Sequence, residues 1–585
     1  MPRIAAADVF QRLTRGSRHA SRAARALVGG AVFTLIAAFP IEVARAQRVL
    51  TSTEDATVIP RGSVRFGIGV SFSRADKRFA SGRPGGAAHG ELEALGGDFL
   101  LDSLGPGAGA IVNSLTPTLR SLSGQTALSL SLGTLSVGIN RDVRTIPFTL
   151  DVGLTSRLTV GVLVPYVLVR NEVAVIPGAG GNLGLNPAAT LTAARTRNGA
   201  VLAQMEAAST RLRNQLAACQ SDPSGAGCGV LNANRPAALA FLNQVDAAAT
   251  DLATVYGTAS AAGARFAPIV GSALEQTIFA RLSAFNTVYQ SLLSLPADTL
   301  LVTARPVGAT RLTLNDVGTI LSDSSFGIVA SPISSSEHGH VGDIEVGGKL
   351  LLYDGFAAST SRRLARNSGV KLRLAVGAAY RFGTGTLAAP GSFTDIGTGD
   401  GTTDIEGRGY LDLVIGNHFW QSAVVRYGVP MSDTMTVRIP DPARPFFPEA
   451  FREQVVDWKP GKYIEAEWNP RLVLNDYFAI AGQYRYRHKD VDAFSGTFNV
   501  TDESGNPVTL DAATLGPFSD TEEHRAGFAL SYSTVAAYAR RRGAPLELTL
   551  LVTRVVRGAG VPAANNVAMT LRWYTKIFGP NNLRR

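Results

Sequence analysis

Apolar and polar positions alternate with a period of two over most of the chain after residue 63. In the first such stretch, Val64, Phe66, Ile68 and Val70 alternate with polar or small residues. The same alternation recurs at 344–352, 370–382, 411–415, 419–427, 464–474, 478–486, 526–532, 546–552 and 567–573. Alternation of this kind indicates β-strands with one apolar face and one polar face. The sequence therefore predicts a chain built mainly from β-strands.

Two architectures contain strands of this type, a soluble sandwich and a membrane barrel. In a sandwich, the apolar faces pack against a second sheet. In a membrane barrel, the apolar faces meet lipid, and each strand needs about 9–11 residues. Most of the predicted strands are this long, and their other face carries glycine, alanine, arginine and glutamate. We therefore expect an all-β transmembrane β-barrel.

The number of strands follows from the same pattern. Thirteen strands are predicted when 126–140 and 144–154 are counted separately. A bacterial single-chain barrel has an even number of strands, with short turns at the periplasmic rim. About fourteen strands result if 85–101 adds one, and twelve result if 64–73 lies outside the barrel. We favour fourteen antiparallel strands, with twelve as the alternative.

Three very short connections fix how neighbouring strands pair. Apolar faces match across them only if residue i pairs with residue i+4, because a slip by one residue would reverse the faces. The connections are 155–157, 416–418 and 475–477. In the third hairpin, this register predicts the opposite pairs Trp468–Tyr484, Ala466–Tyr486, Glu467–Arg485 and Glu465–Arg487.

Charged residues on the polar faces of the strands are the candidate functional residues. Those expected to face the lumen are Arg373, Arg381, Glu465, Glu467, Arg471, Arg485 and Arg487. In a conducting pore they would act as an electrostatic filter. In a closed barrel they would be paired side chains that fill the interior. The sequence leaves both alternatives open.

The first 46 residues have the pattern of a secretory signal peptide. Arginines precede an apolar run at 26–41, and Ala44-Arg45-Ala46 matches a cleavage site, which makes Gln47 the first mature residue. Removing residues 1–46 takes away seven Arg, one Asp and one Glu, so the net charge falls from +10 to +5. A charge this modest gives no reason to expect nucleic acid as a partner.

Residues 185–300 break the strand pattern and show the three-four spacing of amphipathic helices. Cys219 and Cys228 are the only cysteines, and in an exported chain they predict a disulfide. We expect an α-helical insertion at 185–300, an extracellular cap or plug, between barrel parts at 47–184 and 301–585. The apolar stripes also fit a packed insertion without a role of its own.

Three stretches resemble a known family. "GLTSRLTVGVLVPYV" (153–167), "GDIEVGGKLLLYDG" (342–355) and "LAVGAAYRFGTG" (374–385) are similar to segments of the meta-pathway of phenol degradation proteins, which are labelled transporters. The resemblance covers 126–170 and 341–578. It implies a barrel in the Gram-negative bacterial outer membrane that passes small molecules, hydrophobic ones included, and it brings no catalytic residues. The large helical insertion departs from the family, and Phe578 stands in for the usual terminal aromatic residue.

Little in the sequence indicates catalysis or metal binding. "EHGHVGD" makes His338, His340 and Asp343 weak candidates for a metal site. His488 and His524 have no accompanying GxSxG signature, and we expect neither an enzyme nor a cofactor. The leading hypothesis is a monomeric passive channel that contacts outer-membrane lipid and carries a small-molecule solute. The second is a non-conducting surface scaffold whose helical insertion binds a partner, and the third is a barrel hydrolase.

Overall fold

The structure is a computed structural model. It describes residues 54–577 apart from 84–86, 97–111, 113, 294–300, 303, 332, 356–368, 417, 442–446, 476, 503–504 and 536–543. The predicted signal peptide and Phe578 lie outside the described residues. No helix within these ranges is long and apolar enough to cross a membrane.

Twelve strands in the described chain form one closed antiparallel barrel. They are β1 Ser63–Ala75, β2 Leu135–Gly153, β3 Leu158–Pro177, β4 Ile344–Asp354, β5 Val370–Phe382, β6 Asp404–Ile415, β7 Phe419–Pro430, β8 Tyr463–Val473, β9 Phe478–Lys489, β10 Thr521–Ser533, β11 Leu546–Ala559 and β12 Asn565–Lys576. Each strand pairs with its neighbours in chain order, and β12 pairs with β1. Closure leaves no free edge, which is what a β-structure needs in lipid.

The alternation of side chains gives the barrel its apolar outer surface. On β10, Phe528 and Leu530 point outward and are 66% and 46% exposed, whereas Ala529 and Ser531 between them are buried. An exposed apolar belt of this kind is stable when it faces hydrocarbon. The chain therefore has the architecture of a bacterial outer-membrane β-barrel.

Twelve strands match the alternative prediction, and the preferred number of fourteen is wrong. The predicted strands 126–140 and 144–154 are not separate, because β2 runs unbroken and pairs with β3 along its whole length. Arg141 and Asp142, between the two predicted strands, lie within this long strand, where Arg141 donates a hydrogen bond to Asn171 on β3.

Both predicted ways of reaching an even number of strands, adding one from 85–101 or leaving out 64–73, are also wrong. Residues 64–73 belong to the barrel as part of β1. In the described part of 85–101, only Leu92–Ala94 forms a strand, and it pairs with Lys77–Phe79 outside the barrel. A period-two pattern cannot show whether a polar interruption ends a strand or continues it beyond the membrane.

The predicted hairpin registers are confirmed. Backbone N–H groups of Leu154 and Leu474 each donate to the carbonyl four residues later, at 2.9 Å, and Ile415 lies opposite Phe419. In the β8–β9 hairpin, all four predicted pairs lie opposite one another. The alternation of apolar residues was sufficient to set these pairings.

The lengths of the connections differ between the two rims. At one rim, the connections after β2, β6 and β8 have three or four residues, and those after β4 and β10 have 15 and 12. At the other rim, the connections after β1, β3, β5, β7 and β9 are longer, and that after β11 has five residues. Outer-membrane barrels have short periplasmic turns and long extracellular loops, which predicts that the rim with the helical insertion, between β3 and β4, is the extracellular one.

The helices form a packed lobe on this side. They are α1 Thr116–Ser123, α2 Pro187–Thr190, α3 Thr192–Ser221, α4 Cys228–Ala233, α5 Arg235–Tyr256, α6 Ala273–Leu293 and α7 Leu314–Ser322. The predicted disulfide Cys219–Cys228 is present and links α3 to α4. Buried Leu212, Leu252 and Ile278 share one core with the outer end of β2, so the lobe stands on the extended β2–β3 hairpin.

Short strands build the remaining extracellular structure. They are Lys77–Phe79, Leu92–Ala94, Leu183–Leu185, Phe266–Pro268, Ser336–Val341, Asp433–Arg438, Glu453–Lys459, Ala493–Ser495, Thr497–Thr501, Pro507–Asp511 and Val561–Pro562, with 3-10 turns at Ser324–Phe326, Ala450–Arg452 and Ala512–Leu515. Ile439, Val456 and Leu510 form a second small core there. Arg438 joins it to the end of the insertion by donating to the carbonyl oxygen of Val329 at 2.9 Å.

Replacing the outward-facing Phe528 tests the lipid-facing surface. Phe528→Arg is expected to lower the free energy of unfolding by about 2–4 kcal/mol, because arginine would face hydrocarbon near the middle of a strand. Denaturant titration of the protein in lipid vesicles measures this change. Val491→Arg, in an extracellular connection, is the matched control and should change the value by less than about 0.5 kcal/mol. Equal losses in the two variants would contradict the assignment.

Candidate functional site

Charged side chains occupy the middle of the lumen. Of the predicted lumen residues, Arg373, Arg381, Glu465, Glu467 and Arg485 are at most 9% exposed. Arg471 lines the main lumen cavity. Arg487 is only half-buried, and its guanidinium lies 5.0 Å from the ring centre of Tyr463. A buried charge is costly unless an opposite charge or hydrogen bonds compensate it, so the contacts of each residue decide its role.

The largest network is built around Arg426 on β7. Arg426 donates to Glu465 at 2.5 Å and to Glu467 at 3.1 Å, both on β8. Arg485 on β9 lies 3.7 Å from Glu465 and donates to Glu523 on β10 at 2.5 Å. The two glutamates are therefore shared between strands on either side of β8, and a run of alternating charges spans four neighbouring strands.

Three further arginines have carboxylate partners on the inner wall. The pairs are Arg408 with Glu345 and Glu406, Arg373 with Asp354 and Asp412, and Arg381 with Asp400 and Asp404. The Tyr463 hydroxyl also donates to Glu406 at 2.7 Å. This part of the lumen is thus filled by paired charges, as one of the two alternatives for these residues predicted.

Residues 54–62, which we call the N-terminal segment, enter the lumen from the periplasmic rim. At the rim, the Gly62 N–H donates to the Gly153 carbonyl at 2.8 Å. Further in, the Ile59 N–H donates to Oγ1 of Thr159 on β3 at 2.8 Å. The segment therefore lies against the inner wall and passes upward from the start of β1.

The far end of the N-terminal segment is held by three different strands. The Ala56 N–H donates to Asp412 Oδ2 at 3.1 Å. Arg426 Nη2 donates to Glu54 Oε2 at 3.1 Å, and Lys349 Nζ donates to the Asp55 carbonyl at 2.8 Å. Ala56 has no exposed surface. Because these partners come from β4, β6 and β7, the segment occupies the space that a solute would cross.

A cavity of about 410 Å³ remains beside the N-terminal segment. Its charged lining is Glu54, Asp55, Arg65, Asp151, Glu345, Lys349, Arg408, Arg426, Glu465, Glu467, Arg471, Glu547 and Arg572. Three aromatic residues, Tyr410, Trp420 and Tyr574, line it as well. A cavity of this size suits a small molecule with both polar and apolar parts.

The connection between β5 and β6, residues 383–403, closes the lumen from the extracellular end. Ile396 packs against the inward-facing Val143 and Val169. Asn171 on β3 donates to the carbonyl of Thr394 at 2.8 Å. Apolar packing and buried hydrogen bonds together hold this loop in the mouth of the barrel.

Asp343 anchors the same loop where β4 begins. Its carboxylate accepts hydrogen bonds from the backbone N–H of Gly385 at 2.9 Å and of Asp400 at 3.0 Å. Burial, reinforced by the negative charge of Asp400, raises the pKa of Asp343 to about 6, although Arg381 acts in the opposite direction. The Asp343 carboxyl group therefore gains or loses its proton within a physiological pH range.

The residues proposed for a metal site have separate partners. His338 Nδ1 lies 3.5 Å from Asp395, and His340 Nδ1 lies 3.1 Å from the Val341 carbonyl, while Asp343 binds backbone N–H groups. In the parts of the chain that the structure describes, no three potential ligands come together. His338 and Asp343 instead help to hold the loop 383–403.

Sequence analysis missed several residues of this site. Arg408 and Arg426 lie directly opposite each other on β6 and β7, and like charges in that arrangement need carboxylates nearby. The hairpin register predicted from the sequence already places these two arginines opposite each other. Lys349 could also have been predicted to face the lumen, because it lies between apolar positions of β4. Glu54 and Asp55 lie in an irregular segment whose composition gives no sign that it enters a barrel.

Comparisons with known proteins add a similarity of fold. No protein-family profile and no curated protein matches the chain, so the resemblance to the meta-pathway of phenol degradation proteins is not confirmed. An outer membrane channel from Pseudomonas putida F1 aligns at 8% identity over 89% of this chain and 99% of its own, with a TM-score of 0.36. The P. putida toluene transporter TodX aligns at 9% identity over 89% of this chain and 92% of its own, with a TM-score of 0.23. The transport unit of the Escherichia coli autotransporter AIDA-I aligns at 6% identity over 91% of this chain and 93% of its own, with a TM-score of 0.25. At these scores the similarity does not bear on what this chain carries.

The raised pKa of Asp343 predicts how the stability of the loop 383–403 depends on pH. The folded loop binds the Asp343 proton more tightly than a released loop would, so stability is greatest at low pH and falls as the pH rises through about 6. Asp343→Asn keeps an acceptor oxygen but cannot ionise, so this dependence should disappear. Hydrogen exchange of the loop amides between about pH 5 and 8, corrected for the pH dependence of the intrinsic exchange rates, measures the stability of the loop. The same pH dependence in both proteins would contradict this assignment.

Proposed function

We propose that this protein is a passive outer-membrane channel for small solutes, closed at rest by its own N-terminal segment. The observation that supports this proposal most is the position of the segment, which lies in the lumen between β3, β4, β6 and β7. Outer-membrane transport barrels include ones whose lumen is closed by a plug. The paired charges around it leave a cavity of small-molecule size.

The barrel does not depend on the N-terminal segment for closure. The ladder of β1 with β12 starts at Ser63 and that with β2 at Val64, so both begin after the segment ends. The segment contributes polar contacts and the apolar packing of Ala56 and Val58, but no strand pairing. Its withdrawal toward the periplasm would therefore break no hydrogen bond of the barrel ladder, which is the property expected of a removable plug.

A single chain is sufficient for this function. The twelve strands close on themselves, so we propose a monomer whose apolar outer belt contacts outer-membrane lipid. The extracellular loop 383–403 forms a second closure. Solute entry then needs the loop to loosen and the N-terminal segment to withdraw.

The second hypothesis, a non-conducting scaffold, also has support in the structure. The helical lobe is a large packed unit with a disulfide, and its core continues into the outer end of β2. On that hypothesis, the lumen would stay closed whether or not the N-terminal segment is present. The conductance of the barrel therefore separates the two functions.

Deletion of residues 47–58 tests the channel directly. In planar lipid bilayers, the intact protein should show small or rare openings, and the deletion variant should show a severalfold larger unitary conductance, because the plug is gone while Ile59 still docks on Thr159. Heat-dependent electrophoretic mobility, compared with and without boiling, serves to check that the barrel has folded.

A matched variant separates the plug from general loosening of the protein. Deletion of Gly505 and Asn506, two exposed residues of the connection after β9, removes chain outside the lumen, and the conductance of this variant should equal that of the intact protein. Folded deletion variants that never conduct would contradict the channel and favour the scaffold.

A further inference from the structure

Two acidic residues at the inner end of the N-terminal segment face basic residues of the lumen wall. Glu54 accepts a hydrogen bond from Arg426, and the carbonyl of Asp55 accepts one from Lys349. Asp55 and Arg471 line the same cavity as these residues. The wall thus presents a basic surface, formed by Lys349 on β4, Arg426 on β7 and Arg471 on β8, to two carboxylates of the plug.

Two of these cations form no close ion pair among the described residues. Lys349 lies over the ring of Tyr410 at 3.9 Å, and Arg471 lies 5.7 Å from the ring centre of Trp420. Among the described residues, neither has a carboxylate within 4.0 Å, in contrast to Arg426, which also pairs with β8. Aromatic faces stabilise a cation only modestly. If the N-terminal segment leaves, an anion is the natural replacement.

The charge balance of the cavity lining leads to the same conclusion. Six basic and seven acidic residues line the cavity when the plug is in place. Without Glu54 and Asp55, six basic and five acidic residues remain, so the lining changes from a net −1 to a net +1. Fixed charge inside a narrow lumen strongly affects which ions enter it. An opened channel would therefore attract anions to the place that the plug had occupied.

We propose that Lys349, Arg426 and Arg471 form a carboxylate-binding site in the lumen, that Glu54 and Asp55 occupy this site at rest, and that the solutes of the channel are small organic carboxylates. This inference rests on the proposed channel function and specifies its substrate class. Guanidinium and ammonium groups bind carboxylates through charge-assisted hydrogen bonds. Tyr410, Trp420 and Tyr574 in the same cavity provide contact surface for an apolar or aromatic body next to the carboxylate.

The N-terminal segment is then an internal competitor of the solute. It brings the Glu54 carboxylate to Arg426 and the Asp55 carbonyl oxygen to Lys349, in the space where a solute carboxylate would bind. A solute that reaches the cavity from the extracellular side replaces the charge that the plug supplies, so binding of the solute and release of the plug favour each other. No covalent step or cofactor is needed for this exchange.

The experiment uses the deletion of residues 47–58 in planar bilayers with benzoate as the probe. Under a KCl gradient, the variant should prefer chloride over potassium by about threefold, and benzoate should reduce the current at lower concentration than benzamide, its neutral analogue of the same shape. Adding Lys349→Gln and Arg471→Gln leaves four basic and five acidic residues in the lining, so the preference for chloride should be lost or reversed and benzoate should act no better than benzamide. The control pair Arg554→Gln and Arg557→Gln, on exposed positions of β11, should change neither.

The outcomes distinguish this inference from the proposed function. A deletion variant that conducts but prefers potassium, or responds equally to benzoate and benzamide, would overturn the carboxylate site and leave the channel standing. If the deletion variant that also carries Lys349→Gln and Arg471→Gln still prefers chloride to potassium and benzoate to benzamide, these two residues do not form the carboxylate site. Absence of any conductance would overturn the channel itself. A folded barrel in each case is verified by heat-dependent electrophoretic mobility.

Discussion

A carboxylate or guanidinium that moves from water into the interior of a barrel loses most of its solvation, and it has to recover that free energy from an opposite charge. In this protein, the constraint determines the arrangement of the whole lumen. Arginines on β5, β6, β7 and β9 each contact carboxylates on neighbouring strands. Pairs of this kind add little net stability, but loss of one partner from a buried pair costs about 3–5 kcal/mol. The interior therefore tolerates few changes of charge.

The N-terminal segment is the movable part of this charge system. Glu54 is an additional partner for Arg426, which keeps Glu465 and Glu467 when the segment leaves. Lys349 and Arg471 are different, because each lies over an aromatic ring and, among the described residues, neither has a carboxylate within 4.0 Å. Withdrawal of the plug thus leaves Arg426 paired and removes two carboxylates from the cavity that Lys349 and Arg471 line, unless an anionic solute takes their place. This asymmetry connects the closed state to the chemistry of the solute.

The strands and their pairing were predictable, whereas the contacts across the lumen were not. Alternating apolar residues set the registers of the hairpins, including the opposite pair Glu467–Arg485. The ion-pair partner of Glu467 is Arg426, because β8 lies between β7 and β9 and the diagonal neighbour of Glu467 on β7 competes with the residue opposite it on β9. The strand number was wrong because polar residues such as Arg141 continue β2 past the membrane. The plug has no periodic pattern, so its place inside the barrel could only come from three-dimensional structure.

The most direct test of this account is the accessibility of Ala56 in the folded protein. The chain has two cysteines, both in the disulfide, so Ala56→Cys introduces a single reactive thiol, and Thr155→Cys in the exposed periplasmic turn provides the reference. Modification by a charged, membrane-impermeant thiol reagent should be slower at residue 56 than at residue 155 by about tenfold or more, because the plug has to leave the lumen before residue 56 can react. Equal rates at the two positions would show that the N-terminal segment does not occupy the lumen and would contradict the account.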